Sequence, residues 1–216
     1  MSQDLAQVQV QVLVLAKEPV AGRVKTRLCP PLTPEGAARL ATAALEDTLD
    51  VVRAVPVARR VLVLDGTYSA AGFDVQPQRG GPMHERLAAA FDDAGPLPAL
   101  LIGMDTPQLT PALLGAAVDS LGHYEAVLGT APDGGWWALG LQRPDGALLL
   151  GIPTSQNDTG ALQLARLAAN GLLVHRLPEL RDVDTIEDAR AAAELAPGGR
   201  FAAELEQQKG LRSGAS

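Results

Sequence analysis

Four cationic side chains crowd one short segment near the N-terminus, AKEPVAGRVKTRL (residues 16–28), in which Lys17, Arg23, Lys25 and Arg27 fall within eleven positions. Gly22 and the loop around it allow backbone N–H groups to approach an anion, and the four cations add charge. The pattern suits phosphate binding, or else a solvated basic loop. It is neither a Walker loop nor a G-x-G-x-x-G dinucleotide turn. A second segment, GMDTP (103–107), ends an apolar run in Asp105, and Pro107 prevents its continuation. A carboxylate placed there can hold Mg2+ or Mn2+, or serve as a turn cap. A third, RDVDT (181–185), offers Asp184 as a helix N-cap or as a second hard-metal ligand. In the fourth, APDGGWWAL (131–139), Asp133, Gly134 and Gly135 form a turn beside Trp136 and Trp137. These two Trp are either core and rim residues or a stacking platform.

Other chemistries lack their residues. His84, His123 and His175 are scattered without metal-ligand spacing. Ser69, Ser120 and Ser155 have no G-x-S-x-G context, and Cys29, the single cysteine, excludes an internal disulfide and a zinc ribbon. With 18 basic and 25 acidic residues the net charge is −7, and no basic block appears, which argues against nucleic acid or an anionic membrane as partner. At 216 residues and 47% hydrophobic, the chain is long and apolar enough for a sizeable core. No apolar run reaches the ~18–20 residues of a membrane span. Residues 1–19 lack the basic start of a signal peptide, so a cytoplasmic protein is expected.

The elements that must position these segments alternate. Strands are expected at 8–15, 60–65, 72–76, 99–104, 126–129, 136–141 and 172–176. Helices are expected at 34–53, capped by Thr33 with Pro34 at its first position, and at 83–93. Further helices are expected at 111–121, capped by Thr110, at 157–170, and at 184–195, capped by Asp184. Alternating βα units predict an α/β fold with a mostly parallel mixed sheet and helices on both faces. One domain spans residues 1–196, and 197–216 reads as a peripheral helix and tail. Ligands of such sheets collect beyond the carboxyl ends of the strands, where the polar segments above lie.

In order and spacing, these motifs resemble the GT-A superfamily of nucleotide-diphospho-sugar transferase-like, Rossmann-like proteins. Within it they resemble the bacterial rSAM/selenodomain-associated transferase family. That family's K-x-P-x-x-G-x-x-K-T-R-L loop corresponds to Lys17 to Leu28, and its D-x-P-x-L strand end to Asp105 to Leu109. Its D-G-G-aromatic turn corresponds to Asp133 to Trp136, and its D-x-D-T to Asp182 to Thr185. The first motif is also similar to guanylyltransferases acting on phospholactate or phosphoenolpyruvate. Residues 78–86 stand where the family has G-D-L-G-E-R; Gly81, Glu85 and Arg86 match, whereas Pro82 and His84 depart.

The resemblance implies that Ala16, Lys17, Gly22, Lys25, Arg27, Gly81 and Glu85 bind the nucleotide. It also implies that Asp105 holds Mg2+ or Mn2+, with Asp184 completing or supporting the metal site, and that Asp133, Gly134, Gly135 and Trp136 face the acceptor or donor group. Lys25, Arg27 and Asp105 are the expected catalytic set. The four loop cations favour nucleotidyl transfer from an NTP to a small anionic acceptor, with release of pyrophosphate. Glycosyl transfer from a nucleotide-diphospho-sugar is the alternative, and an inactive nucleotide-binding module the third reading. The partners are thus a nucleotide and a small-molecule acceptor, with a homodimer left open.

Overall fold

The first strand owes its long apolar run to burial on both faces. The computed structural model describes residues 9–213, so Val8, expected to begin that strand, and residues 214–216 of the tail lie outside the described residues. The strands are β1 (Gln11–Lys17), β2 (Arg59–Asp65), β3 (Asp74–Pro77), β4 (Ala99–Gly103), β5 (Ala126–Thr130), β6 (Trp136–Leu141) and β7 (Val174–Leu177). The helices are α1 (Pro34–Ala54), α2 (Met83–Asp92), α3 (Pro111–Ser120), α4 (Thr159–Ala169), α5 (Ile186–Leu195) and α6 (Arg200–Ser213).

All seven strands join one sheet in the order β3-β2-β1-β4-β6-β5-β7. β1 runs parallel to β2 and β4, β2 to β3, and β5 to β7; β6 alone is antiparallel to its neighbours, β4 and β5. This is the mostly parallel mixed sheet that the alternation predicts. Strand order reverses between β1 and β4, and there the carboxyl ends open a crevice.

Val12, Val14 and Ala16 of β1 pack with Leu45 and Leu49 of α1 and Leu114 of α3 on one face, while Leu13 joins Leu87 and Phe91 of α2 on the other. Burial on both faces accounts for the near-continuous hydrophobicity of β1 and β4. α1 starts as its sequence dictates: the Thr33 hydroxyl accepts from the Gly36 N–H at 3.1 Å, and Pro34 occupies the first turn, where its missing donor costs nothing. Among the described residues, no helix is long and apolar enough to cross a membrane.

A third cluster matters most for the site. Leu28 and Leu32 from the cationic loop pack with Leu40 and Ala44 of α1, Val183 and Ala189 around the start of α5, and Phe201 and Leu205 of α6. One patch of core therefore fixes both the cationic loop and the 181–185 segment. α6 is consequently docked, where the sequence suggests a peripheral helix. Among its described side chains Phe201, Ala202 and Leu205 are the buried apolar ones, and its anchor lies elsewhere in the chain: the Asp47 carboxylate accepts from the backbone N–H groups of Arg200 and Phe201 at 3.0 and 2.9 Å.

The start of α5 also differs from expectation. Thr185, not Asp184, caps it: the Thr185 hydroxyl accepts from the Asp188 N–H at 3.2 Å, and Asp188 accepts from the Thr185 N–H at 2.9 Å. This reciprocal box satisfies two helix-end donors and leaves the Asp184 carboxylate available for another partner.

Candidate active site

At the carboxyl edge of the sheet, three chain segments meet on Asp105. The backbone of Lys25 is left-handed (φ 48°, ψ 36°) and leads into a single 3-10 turn at Thr26–Leu28. From there the Lys25 ammonium reaches Asp105 Oδ1 and the Val183 carbonyl oxygen, at 2.5 Å each. The Val183 N–H in turn donates to the Asp105 carbonyl at 2.9 Å. One turn further, Arg27 Nη1 lies 2.7 Å from Asp184 Oδ2. The cationic loop is thereby tied to the end of β4 and to the segment before α5.

These residues border a cleft of about 360 Å³, lined by Arg27, Asp105, Asp133, Gly135, Trp136 and Asp184 among the positions expected from sequence. Its apolar wall comes from Leu15, Met83, Leu87 and Leu101, and its far rim from residues 154–157. Ser155 on that rim is, like Lys25, a non-glycine residue at positive φ (60°), so both sides of the cleft hold sparsely populated backbone.

Asp133 forms an Asx turn, accepting from the Gly135 N–H at 2.8 Å. Gly134, at φ +90°, stands behind the wall: its carbonyl accepts from the Gly160 N–H at 2.7 Å, and a Cβ there would lie 2.0 Å from the Asn157 carbonyl oxygen. The two tryptophans divide their roles along the strand. Both border the cleft, but Trp137 is buried in the core, its indole N–H bonded to the Pro178 carbonyl, whereas Trp136 is half-buried and more open to the cleft.

Other expected binding residues lie around the same strand ends. The carbonyl of Ala16 accepts from Gln78 Nε2 at 2.7 Å; the Gln78 Oε1 accepts from Arg86, which also pairs with Asp65 at 3.0 Å. This brace holds the loop carrying Gly81 against β1 and β2. Gly81 (φ +111°) lies under the Glu85 carboxylate, and neither residue lines the cleft, although Met83 and Leu87 of the same helix do. Gly22 (φ +75°) forms an exposed turn with open space around it, while Lys17 closes β1. Lys17 and Arg23 have no ion-pair partner among the described residues, in contrast to Lys25 and Arg27.

Asp182 is the residue the sequence reading leaves without a role. It lines the cleft, and its carboxyl is pushed up to about 6 by burial and by the facing carboxylates of Asp133 and Asp184. Its signal was the alternation in D-V-D: in an extended segment, Val183 points into the core and both carboxylates point the other way. Among the described residues no three His, Cys, Asp or Glu side chains converge into a metal-holding group. The half-exposed oxygens of Asp105 and Asp184 suit the other mode of hard cations, one or two carboxylates completed by substrate phosphates and water.

Residues 39–156 match the model of a family described as uncharacterized protein conserved in bacteria (DUF2064). The chain belongs to this family. The match runs from α1 through Asp105 and the Asp133 turn to the cleft's far rim. Comparison with curated proteins gives no match. Among solved structures, a candidate nucleotide-diphospho-sugar transferase from Desulfovibrio desulfuricans G20 is 25% identical, with a TM-score of 0.81 over 94% of this chain and 96% of that one. Rv0371c from Mycobacterium tuberculosis H37Rv is also 25% identical, with a TM-score of 0.57 over 88% and 99% of the two chains. Its complex with manganese superposes at a TM-score of 0.56, covering 88% of this chain and 100% of that one. The DUF2064 protein thus has the nucleotide-diphospho-sugar transferase-like fold. The narrower resemblance to rSAM/selenodomain-associated transferases and guanylyltransferases rests on the motifs alone.

Proposed function

We propose that the protein is a divalent-metal-dependent transferase that takes its group from a nucleotide donor. The observation that carries this reading is the convergence of Lys25 and Asp105 across the ends of β1 and β4, where the strand order reverses. The D. desulfuricans relative, named for nucleotide-diphospho-sugar transfer, and the manganese complex of Rv0371c support it.

In this scheme Ala16, the turn at Gly22 and the cations Lys17, Lys25 and Arg27 hold the nucleotide and its phosphates. Mg2+ or Mn2+ on Asp105, with Asp184 beside it, would neutralise charge on the departing phosphates. Beyond the phosphates the cleft changes character. Asp133 and Asp182 give it negative charge, and Trp136 gives it an apolar face. Two carboxylates repel an anionic acceptor and suit a neutral hydroxyl.

Glycosyl transfer from a nucleotide-diphospho-sugar is therefore the form the cleft supports best. The acceptor hydroxyl oxygen bonds to the anomeric carbon, and the bond from that carbon to the diphosphate oxygen breaks. The nucleoside diphosphate leaves with the electron pair, and the hydroxyl proton passes to Asp133 or Asp182. Nucleotidyl transfer from an NTP to a small anionic acceptor is the second reading. The four loop cations recommend it, and the carboxylates of Asp133 and Asp182 facing the acceptor's place count against it.

A thermal-shift panel of NTPs and nucleotide-diphospho-sugars, each with and without Mg2+ or Mn2+, tests the scheme. A ligand at ~100 times its dissociation constant adds about 2.7 kcal/mol of stability. A metal-dependent shift with a nucleotide-diphospho-sugar, followed by release of nucleoside diphosphate, is the expected result. A shift with an NTP and release of pyrophosphate would establish the second reading, and binding without turnover would leave a nucleotide-binding module. No shift with any member of the panel would overturn the proposal.

A further inference from the structure

We infer that the Lys25 ammonium and a divalent cation are alternative occupants of the Asp105 carboxylate, so that Lys25 blocks free metal until nucleotide phosphates draw it away. The inference rests on the reading that Asp105 is the metal ligand, and it adds how access to that ligand is controlled.

The Lys25 side chain is only 11% exposed, against 43% for Asp105, so the ammonium lies inside and the carboxylate faces the cleft. Two of its three N–H donors are committed, one to Asp105 Oδ1 and one to the Val183 carbonyl. The second acceptor is fixed in place: the Val183 side chain is buried in the third core cluster, and its N–H is bonded to the Asp105 carbonyl. A left-handed backbone at Lys25, costly for a residue with a Cβ, delivers the ammonium to this position. Asp184, the other carboxylate suited to a metal, is likewise paired, with Arg27.

The charges of Asp105 and Asp184 are thus neutralised from within the chain. A divalent cation on the same carboxylate would sit against a desolvated ammonium, and like charges at such range repel strongly. Metal entry requires Lys25 to leave, and Lys25 then requires another anion. A nucleotide phosphate chain carrying its own metal supplies both in one step, so the metal–nucleotide complex is the form in which the cation enters.

The test is Mn2+ binding to the full chain without nucleotide, followed by electron paramagnetic resonance of the free ion. Lys25→Met is expected to bind Mn2+ at least tenfold more tightly than wild type, with Lys25→Arg within about threefold of wild type. Lys17→Met removes the same charge beside the same strand ends without touching Asp105, and is expected to change affinity by less than about threefold. A Lys25→Met affinity no higher than wild type overturns the inference, as does an equal gain from Lys17→Met. Lysine acetylation of the wild type, read by mass spectrometry, is independent of any variant's folding. Lys25 labelling is expected to rise severalfold on saturation with Mn2+, and unchanged labelling overturns the inference. If neither wild type nor Lys25→Met retains Mn2+ even with a nucleotide bound, the metal reading itself fails and takes this inference with it.

Discussion

The indole N–H of Trp137 donates to the carbonyl oxygen of Pro178 at 3.0 Å, fastening the head of the segment that carries Asp182 and Asp184 to the central sheet. Room for the indole comes from Gly129 on the adjacent strand, where a Cβ would lie 2.4 Å from the Trp137 nitrogen. A second tie follows two residues later, from the Leu180 N–H to the Thr130 carbonyl. The acidic wall of the cleft is therefore held by the core.

Trp136 and Trp137 should separate cleanly under mutation. Trp137→Ala removes a buried aromatic and its hydrogen bond, and should cost about 3–5 kcal/mol in chemical denaturation. Trp136→Ala should cost about 1–2 kcal/mol, because its ring is only half-buried. Its larger effect should be on the ligand: fluorescence quenching by the donor or acceptor should disappear. Quenching that persists in Trp136→Ala would remove this side chain from the binding face.

Asp182 makes stability depend on pH in the unusual direction. Its folded-state pKa, about 6, stands above the ordinary aspartate value of 3.8, so the native protein binds more protons than the unfolded chain between these limits. Stability from this group is therefore lost as pH rises from about 4 to above 6. Asp182→Asn should raise metal-free stability at pH 7.5 by about 1 kcal/mol, a figure reduced for partial exposure to solvent, and should add nothing near pH 4. Melting curves in chelator at both pH values test this; an equal gain at the two would trace the effect to something other than ionisation.

Much of this arrangement is legible in the chain. Thr33-Pro34 announces α1 because a hydroxyl cap and a missing N–H are local chemistry. Asp105 is legible because a carboxylate ending a doubly buried strand has only the ligand edge to occupy. What the sequence hides is pairing between distant segments. Nothing local distinguishes Asp184 from Thr185 as the cap of α5; the choice falls to Thr185 because Arg27 engages Asp184 while Asp188 completes the box. Asp182 gains its role only once Pro178 and Leu180 are pinned across the sheet. α6 looks peripheral because its anchor, Asp47, belongs to α1.

Two glycines of the motifs should respond differently to the same substitution. Gly22→Ala meets open space and faces only the left-handed backbone, a cost of about 1–2 kcal/mol. Gly134→Ala adds to that a collision with the Asn157 backbone, which cannot swing aside as a side chain can. Its loss should exceed that of Gly22→Ala by at least about 2 kcal/mol. Equal losses in urea titrations would show that the turn can move away from Asn157.

Asp105 and Asp184 should separate the metal ligand from its support. If Asp105 holds the cation, Asp105→Asn should abolish the metal dependence of the nucleotide-induced thermal shift and lower turnover by about 10²–10³-fold, the range for loss of one electrostatic stabiliser. Asp184→Asn removes the partner of Arg27 but leaves Lys25 on Asp105, and its ion pair is exposed at both ends. Such a pair contributes about 0–1 kcal/mol, so stability should hardly change. Turnover should fall by about tenfold or less if Asp184 only orients Arg27, and by as much as in Asp105→Asn if it ligates the cation directly. Titrating Mg2+ and Mn2+ against each variant distinguishes the cases: support alone lowers the maximal rate at saturating metal, whereas a lost ligand also raises the metal concentration needed for half of it.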